Sequence, residues 1–166
     1  LQSTEQAETL REVSFVVGSS FNLNEVLKRI MDQLGRVVKY DSAAIHLIEG
    51  KRRRIIAGRG FSAPDQVIGT TFPAELDEKE PGSIVIHTRQ PLVHSNISKR
   101  FNKFEQPVQD FIKSWMGIPL IAHDKVIGLI SIDRTEVDAY SDEGVQLTMA
   151  FANQVALALE NARLHE

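Results

Sequence analysis

The chain has 166 residues, of which 42% are hydrophobic and 25% charged, an ordinary balance for one folded domain that buries about 70% of its unfolded surface. A formal net charge of −3 argues neither for nucleic acid nor for an anionic membrane surface as a partner, and neither is expected. The complete absence of cysteine removes disulfides, thiolate metal sites and cysteine nucleophiles together.

Along residues 3–17, Ala7, Leu10, Ser14 and Val17 recur three or four positions apart with Val13 beside them, which predicts a helix that stops at Gly18-Ser19-Ser20. This divides the chain into an N-terminal connecting helix over 1–20 and a main domain over 21–166. Asn22 is a good helix cap, and Glu25 three residues later completes a capping-box-like arrangement. The stripe Leu23, Val26, Leu27, Ile30, Leu34, Val37 and Val38 then predicts a core-facing helix. Ser42–Glu49 reads as a strand, Gly50 as its turn and Arg54–Gly60 as the returning strand. Lys51, Arg52, Arg53 and Arg54 cluster at the hairpin tip; with no aromatic residue among them they read as a solvated turn, a charged partner being the alternative.

Phe61–Pro81 is irregular, broken by Pro64, Gly69 and Pro73 and followed through the acidic run Glu75–Glu80. Pro81 and Gly82 precede Ser83–Thr88, a short helix with proline in its first turn. Pro91–Asn96 reads as a short edge strand, because Pro91 has no N–H to donate to a ladder. Phe101–Lys113 reads as another helix whose start is restricted by Pro107. From Trp115 to Asp133, two apolar runs flank the turn His123-Asp124-Lys125, predicting an antiparallel hairpin. The longest nearly apolar run, Met116–Ala122, carries Pro119 and is far too short to span a membrane, and no signal-peptide pattern opens the chain. A polar break at Arg134–Asp138 leads to the closing helix, with Ser141 as cap and Asp142 and Glu143 in the first turn. One face of that helix carries Val145, Met149, Ala152, Ala156 and Leu159, another Leu147, Phe151 and Ala158. A helix apolar on two sides must bury both. One side suits the sheet; the other calls for the first helix or a second subunit, which makes Leu10, Val17, Phe151 and Leu159 the expected dimer contacts.

No catalytic set converges. The five histidines, His46, His87, His94, His123 and His165, form no HxH, HxxxH or HExxH pattern, so no metal site is expected. His46 points from a strand and can reach a pocket or pair with a neighbour. His87 or His94 would have to serve as axial ligand to any haem, although a lone histidine is ordinarily polar packing. Gly58-Arg59-Gly60 lacks the third glycine and the following helix of a phosphate cradle, and there is no G-x-S-x-G elbow.

The entry Trp115-Met-Gly-Ile-Pro-Leu120, the exit Val126-Ile-Gly-Leu-Ile-Ser-Ile-Asp133 and the tail Phe151–Leu164 together resemble the GAF domain, a regulatory small-molecule-sensing module, over residues 20–165. The resemblance implies an α/β chain of α+β type: a central antiparallel sheet of five or six strands, long terminal helices on one face and a short-helix lid on the other. It makes residues 61–113 the lid over a cavity, with Ile84, His87, His94, Phe104, Phe111 and Trp115 as candidate ligand-binding residues. Apolar lining with a few polar groups is the usual make-up of such sites. It further implies a non-catalytic sensory domain of a cytoplasmic bacterial signalling protein, a sensor histidine kinase of a two-component system foremost. Such a domain would act as a homodimer, bind an unidentified small molecule and pass its signal to a C-terminal output domain. A ligand-free dimerisation and relay domain is the alternative. Two chemistries of the family, free methionine sulfoxide reduction and covalent bilin attachment, call for cysteine, which this chain lacks. The cyclic-nucleotide signature of some GAF domains is not matched: Asn102-Lys103-Phe104-Glu105 has the wrong spacing, and Asp138 stands where a phenylalanine should precede Asp142-Glu143.

Overall fold

The computed structural model describes residues 22–97 and 112–164. The helix expected over 3–17, with Leu10 and Val17, lies outside the described residues, as do Phe104, Phe111 and His165; of the helix expected over Phe101–Lys113, only Ile112 and Lys113 are described.

Helix α1 (Leu23–Val37) begins as its sequence dictates: Asn22 Oδ1 accepts from the Glu25 N–H at 3.2 Å. It buries Val26, Leu27, Ile30, Met31 and Leu34, whereas Val37, expected on the same stripe, faces solvent. Strands β1 (Ser42–Glu49) and β2 (Arg52–Arg59) form a hairpin around Gly50, whose φ of 64° is the left-handed conformation that glycine adopts without strain. The returning strand thus starts two residues earlier than expected, because Arg52 pairs with both Glu49 and Pro73. The irregular stretch contains two short elements, helix α2 (Pro64–Val67) and strand β3 (Thr71–Pro73). Helix α3 (Pro81–Thr88) has proline in its first turn and ends at Arg89, which has a φ of 61°. Strand β4 (Leu92–His94) lies at a sheet edge. Strands β5 (Ser114–Ala122) and β6 (Lys125–Arg134) make the second hairpin, and His123 and Asp124 both take positive φ, the geometry that matches the strands' right-handed twist. Helix α4 (Asp142–Leu164) closes the fold; Ser141 Oγ accepts from the Gly144 N–H at 3.2 Å.

The strands form one six-stranded sheet in the order β3-β2-β1-β6-β5-β4, with every neighbouring pair antiparallel. Helices α1 and α4 cover one face, where they meet Ala43, Ile45, Met116, Ile118, Ile130 and Ile132 in the main core. Helices α2 and α3 lie on the other face. Phe151 and Leu159, expected at a subunit contact, are each 6% exposed and belong to the main core. The correction has a physical reason: α4 lies against both the sheet and α1, so one subunit absorbs both apolar sides of the helix. The outward apolar residues of α4 are instead Met149, Leu157 and Leu164. Among the described residues, no helix is long and apolar enough to cross a membrane.

One irregularity decides which side chains face the lid. Ile45 pairs with Ala57 but His46 pairs with Ile55, so Ile56 is an extra residue in β2. Ile56 and Ala57 both pack toward the helical core, while Ile55 belongs to the cluster under α2 and β3. The bulge thereby sets the alternation of β2 so that Arg53 and Ile55 turn to the lid face.

Candidate functional site

Between the sheet and the short helices lies a cavity of about 50 Å³. Ala44, Ile55, Phe61, Val67, Phe72, Trp115 and Leu129 give it apolar walls. His46, Arg53, Glu80, Ser131 and Asp133 supply the polar groups. Simple alternation brings them together: His46 on β1, and Leu129, Ser131 and Asp133 on β6, point to the cavity, while Ile45, Ile130 and Ile132 point to the core.

Arg53 is the centre of the polar arc. It is 2% exposed, and its guanidinium pairs with Glu80 at 2.5 Å. The same group donates through Nη1 to the Pro73 carbonyl at 3.1 Å and through Nε to His46 Nδ1 at 3.3 Å. Its central carbon stands 4.8 Å from the centroid of the Phe72 ring, within the range of cation–π attraction. Gly82 permits this approach, since a Cβ there would lie 2.4 Å from Arg53 Nη2. Lys51–Arg54 is therefore not a solvated turn throughout: Arg52 faces solvent, and Arg54 pairs with Glu49 at the surface at 2.6 Å, but Arg53 is interior.

Glu80 has a second role. It is the N-cap of α3, accepting from Gly82 N–H at 2.8 Å and Ser83 N–H at 2.9 Å. One carboxylate thus caps the lid helix and ties it to the sheet. His46, accepting from Arg53 at Nδ1, carries its proton on Nε2 and donates to Ser131 Oγ at 3.3 Å. Burial first, and then the Arg53 charge, hold the His46 imidazole well below its usual pKa, so it is neutral.

Asp133 stands at the other end of the cavity, directly across from Trp115 on β5. Its Oδ1 accepts from the Ser42 hydroxyl at 2.5 Å. It is 8% exposed, and burial, reinforced by the Asp41 charge and opposed by the Ser42 hydrogen bonds, pushes its carboxyl up to about 7.

Of the six candidate ligand-binding residues, Trp115 lines the cavity. His94 is buried with its ring centroid 6.2 Å from that of Trp115 but does not line the cavity. Ile84 packs at the edge of the cluster formed by Val85, Ile97, Ile112, Trp115 and Leu129, and His87 is exposed on α3. Phe104 and Phe111 lie outside the described residues. Sequence reasoning missed Arg53, Glu80, Ser131 and Asp133. For the last two a signal existed, since Ile130-Ser131-Ile132-Asp133 alternates apolar and polar residues as a half-buried strand does. Among the described residues no group of three His, Asp or Glu side chains is placed to hold a metal ion.

The Nif-specific regulatory protein of Azospirillum brasilense is 27% identical to this chain over 180 aligned residues, which cover 99% of the chain and 27% of that protein. The chain spans about a quarter of the length of the curated relatives it matches. Among solved structures, the GAF domain of an Acinetobacter phosphoenolpyruvate-protein phosphotransferase matches with a TM-score of 0.79 at 20% identity, covering 98% of this chain and 97% of that one. The GAF domain of a two-component sensor histidine kinase from Bacillus halodurans matches with a TM-score of 0.75 at 20% identity, covering 88% of this chain and 99% of that one. These likenesses are of fold. The family model described as "GAF domain" matches residues 22–159, a span that contains every strand of the sheet and the whole cavity, and the chain belongs to this family.

Proposed function

We propose that this domain, residues 21–166 with the connecting helix over 1–20 ahead of it, is the sensory input module of a longer bacterial regulatory protein. In this reading it is not itself catalytic, works in the cytoplasm, binds a small molecule in the cavity and acts on a C-terminal output domain. The observation that carries the reading is the cavity itself, in which apolar walls enclose a connected polar arc from Glu80 through Arg53 and His46 to Ser131. Two kinds of output are open. Identity of 27% across nearly the whole chain favours a regulator of the Nif-specific kind, whereas only a shared fold favours a histidine kinase. We favour the former.

The route of the signal follows from strand alternation. Trp115, Leu129, Ser131 and Asp133 face the cavity, while Met116, Ile130 and Ile132 on the same strands face the core that holds α4. A ligand that moves the cavity side of β5 and β6 also moves the seat of the terminal helix. Its effect is bounded by its difference in affinity between the two states, about 1–3 kcal/mol of coupling in typical cases.

Native mass spectrometry of the purified protein, repeated after denaturation, tests the reading. A non-covalent mass lost on denaturation supports a sensor, and an empty monomer counts against both sensing and dimerisation. The second reading, a ligand-free homodimeric relay, is favoured by the exposure of Met149, Leu157 and Leu164 on α4. An empty dimer that Leu157→Glu converts to monomer would establish it.

A further inference from the structure

We infer that the cavity takes a small organic cation bearing N–H groups, of the primary ammonium or amidinium class, with Asp133 as its counter-ion. This deepens the sensory reading and rests on it.

Charge balance is the first argument. Among the polar groups on the cavity, the Arg53 cation is matched by Glu80 at 2.5 Å, and His46 is neutral because its Nδ1 accepts from Arg53. Asp133 remains. Its carboxylate has the hydroxyl and the backbone N–H of Ser42 as hydrogen-bond partners, and among the described residues no arginine, lysine or histidine forms an ion pair with it. A buried carboxylate without a cation is strongly disfavoured. Where Asp133 is ionised, an anionic ligand would add a second uncompensated negative charge, whereas a monocation neutralises the site.

The walls and the size agree with this. Trp115 is the direct cross-strand neighbour of Asp133, and Phe61 lines the same cavity, so aromatic side chains border the space that would hold the cation. Ser131, two residues before Asp133 on the same face of β6, receives the His46 proton donor and keeps a lone pair for a ligand N–H. A volume of about 50 Å³ is a third of the roughly 150 Å³ hydrocarbon cavity that admits benzene, so the occupant has only a few heavy atoms.

The groups around Asp133 also predict how binding responds to pH. Asp41 just before β1 and Ser42 at its start face it, Arg134 follows it on β6, Tyr140 precedes α4, and His46, Arg53 and Glu80 lie across the cavity. Arg134 is drawn to Asp41 at 3.8 Å and Glu136 at 3.5 Å. With the Asp133 carboxyl at about 7, the ionised, cation-binding form is a minority at pH 6 and the majority at pH 8. Affinity for a cation therefore rises about tenfold between those two values.

The test is a titration of the full chain with methylammonium chloride, followed by 13C-methyl NMR at Ala44, Ile55 and Leu129, at pH 6 and pH 8. Sodium acetate and sodium chloride at matched ionic strength are run alongside. The expected result is saturable shifts with methylammonium alone, about tenfold weaker binding at pH 6, and loss of the shifts in Asp133→Asn. The pH comparison uses the unaltered protein, so it decides even if that variant folds poorly. Saturation by acetate in place of methylammonium would overturn the cation while leaving a sensory cavity. Equal binding at both pH values would overturn the role of Asp133. Identical shifts from sodium chloride would reduce the effect to ionic strength and overturn the inference. No saturable shift from either organic ion, together with an empty native mass spectrum, would overturn the sensory reading as well.

Discussion

The pair Arg53–Glu80 predicts an asymmetry that few other contacts in the molecule would produce. Arg53 is 2% exposed, so Glu80→Ala leaves a buried guanidinium without its counter-charge. Stranding one member of a buried ion pair costs about 3–5 kcal/mol. Loss of the cap on the Gly82 and Ser83 N–H groups adds about 1 kcal/mol. The surviving contacts of Arg53 with His46, Pro73 and Phe72 offset part of this, which leaves an expected cost of about 3–5 kcal/mol. The reverse change, Arg53→Met, keeps the aliphatic volume. It strands the acceptors His46 Nδ1 and Pro73 O but leaves Glu80, whose side chain is 22% exposed, able to turn to water while still capping α3, so its expected cost is about 2–3 kcal/mol. Urea unfolding followed by far-UV circular dichroism measures both variants. In a domain of this length the larger loss lowers Tm by about 2–4 °C per kcal/mol. Amide exchange in α3 should accelerate in Glu80→Ala more than in Arg53→Met. The double variant should cost less than the sum of the two single changes, because the stranded charge is gone. Equal costs for the two single variants, or a cost below about 1 kcal/mol for Glu80→Ala, would refute the argument that this carboxylate ties the lid helix to the sheet.

Three further predictions concern the same framework. Because Asp133 has a folded-state pKa of about 7, above its value of 3.8 when unperturbed, its stability term is fully present below the lower value and declines as pH rises toward the upper one. Asp133→Asn, which keeps an acceptor for Ser42, should match the wild type near the lower pKa and exceed it by about 2–4 kcal/mol above the higher one, as thermal melts across that range would show. Gly117→Ala would place a Cβ 2.3 Å from the Trp115 ring and 2.9 Å from Val85 Cγ2; the expected cost is about 1–3 kcal/mol, with a shifted emission from the protein's single tryptophan. Leu157→Glu, at a position 42% exposed on α4, should change stability by less than about 0.5 kcal/mol, so any change in sedimentation reports association and not unfolding.

The readable and unreadable parts of this molecule differ in kind. The cap at Asn22, the proline-led start of α3, the turn at His123-Asp124 and the cap at Ser141 were legible because each depends on residues within one turn of chain. The core face of α1 was legible because apolar residues recur there at the period of the helix. Arg53 was not, since three consecutive arginines carry no contrast from which an inward position can be read, and the Ile56 bulge sets the alternation. Glu80 was one member of an acidic run until the fold set it against a strand 27 positions earlier in the chain. Phe151 and Leu159 looked like interface residues because two-sided apolarity does not say whether the second partner is another subunit or another helix of the same one.

By itself, then, the sequence determined what short-range chemistry determines: where helices start, where hairpins turn, which stripe of the first helix is apolar, and the family these features mark. Only the tertiary structure decided the site. A buried charge is set by which groups from distant segments surround it, and Arg53 with Glu80, or Asp133 beside Trp115, acquires its role from strand register and a single extra residue in β2.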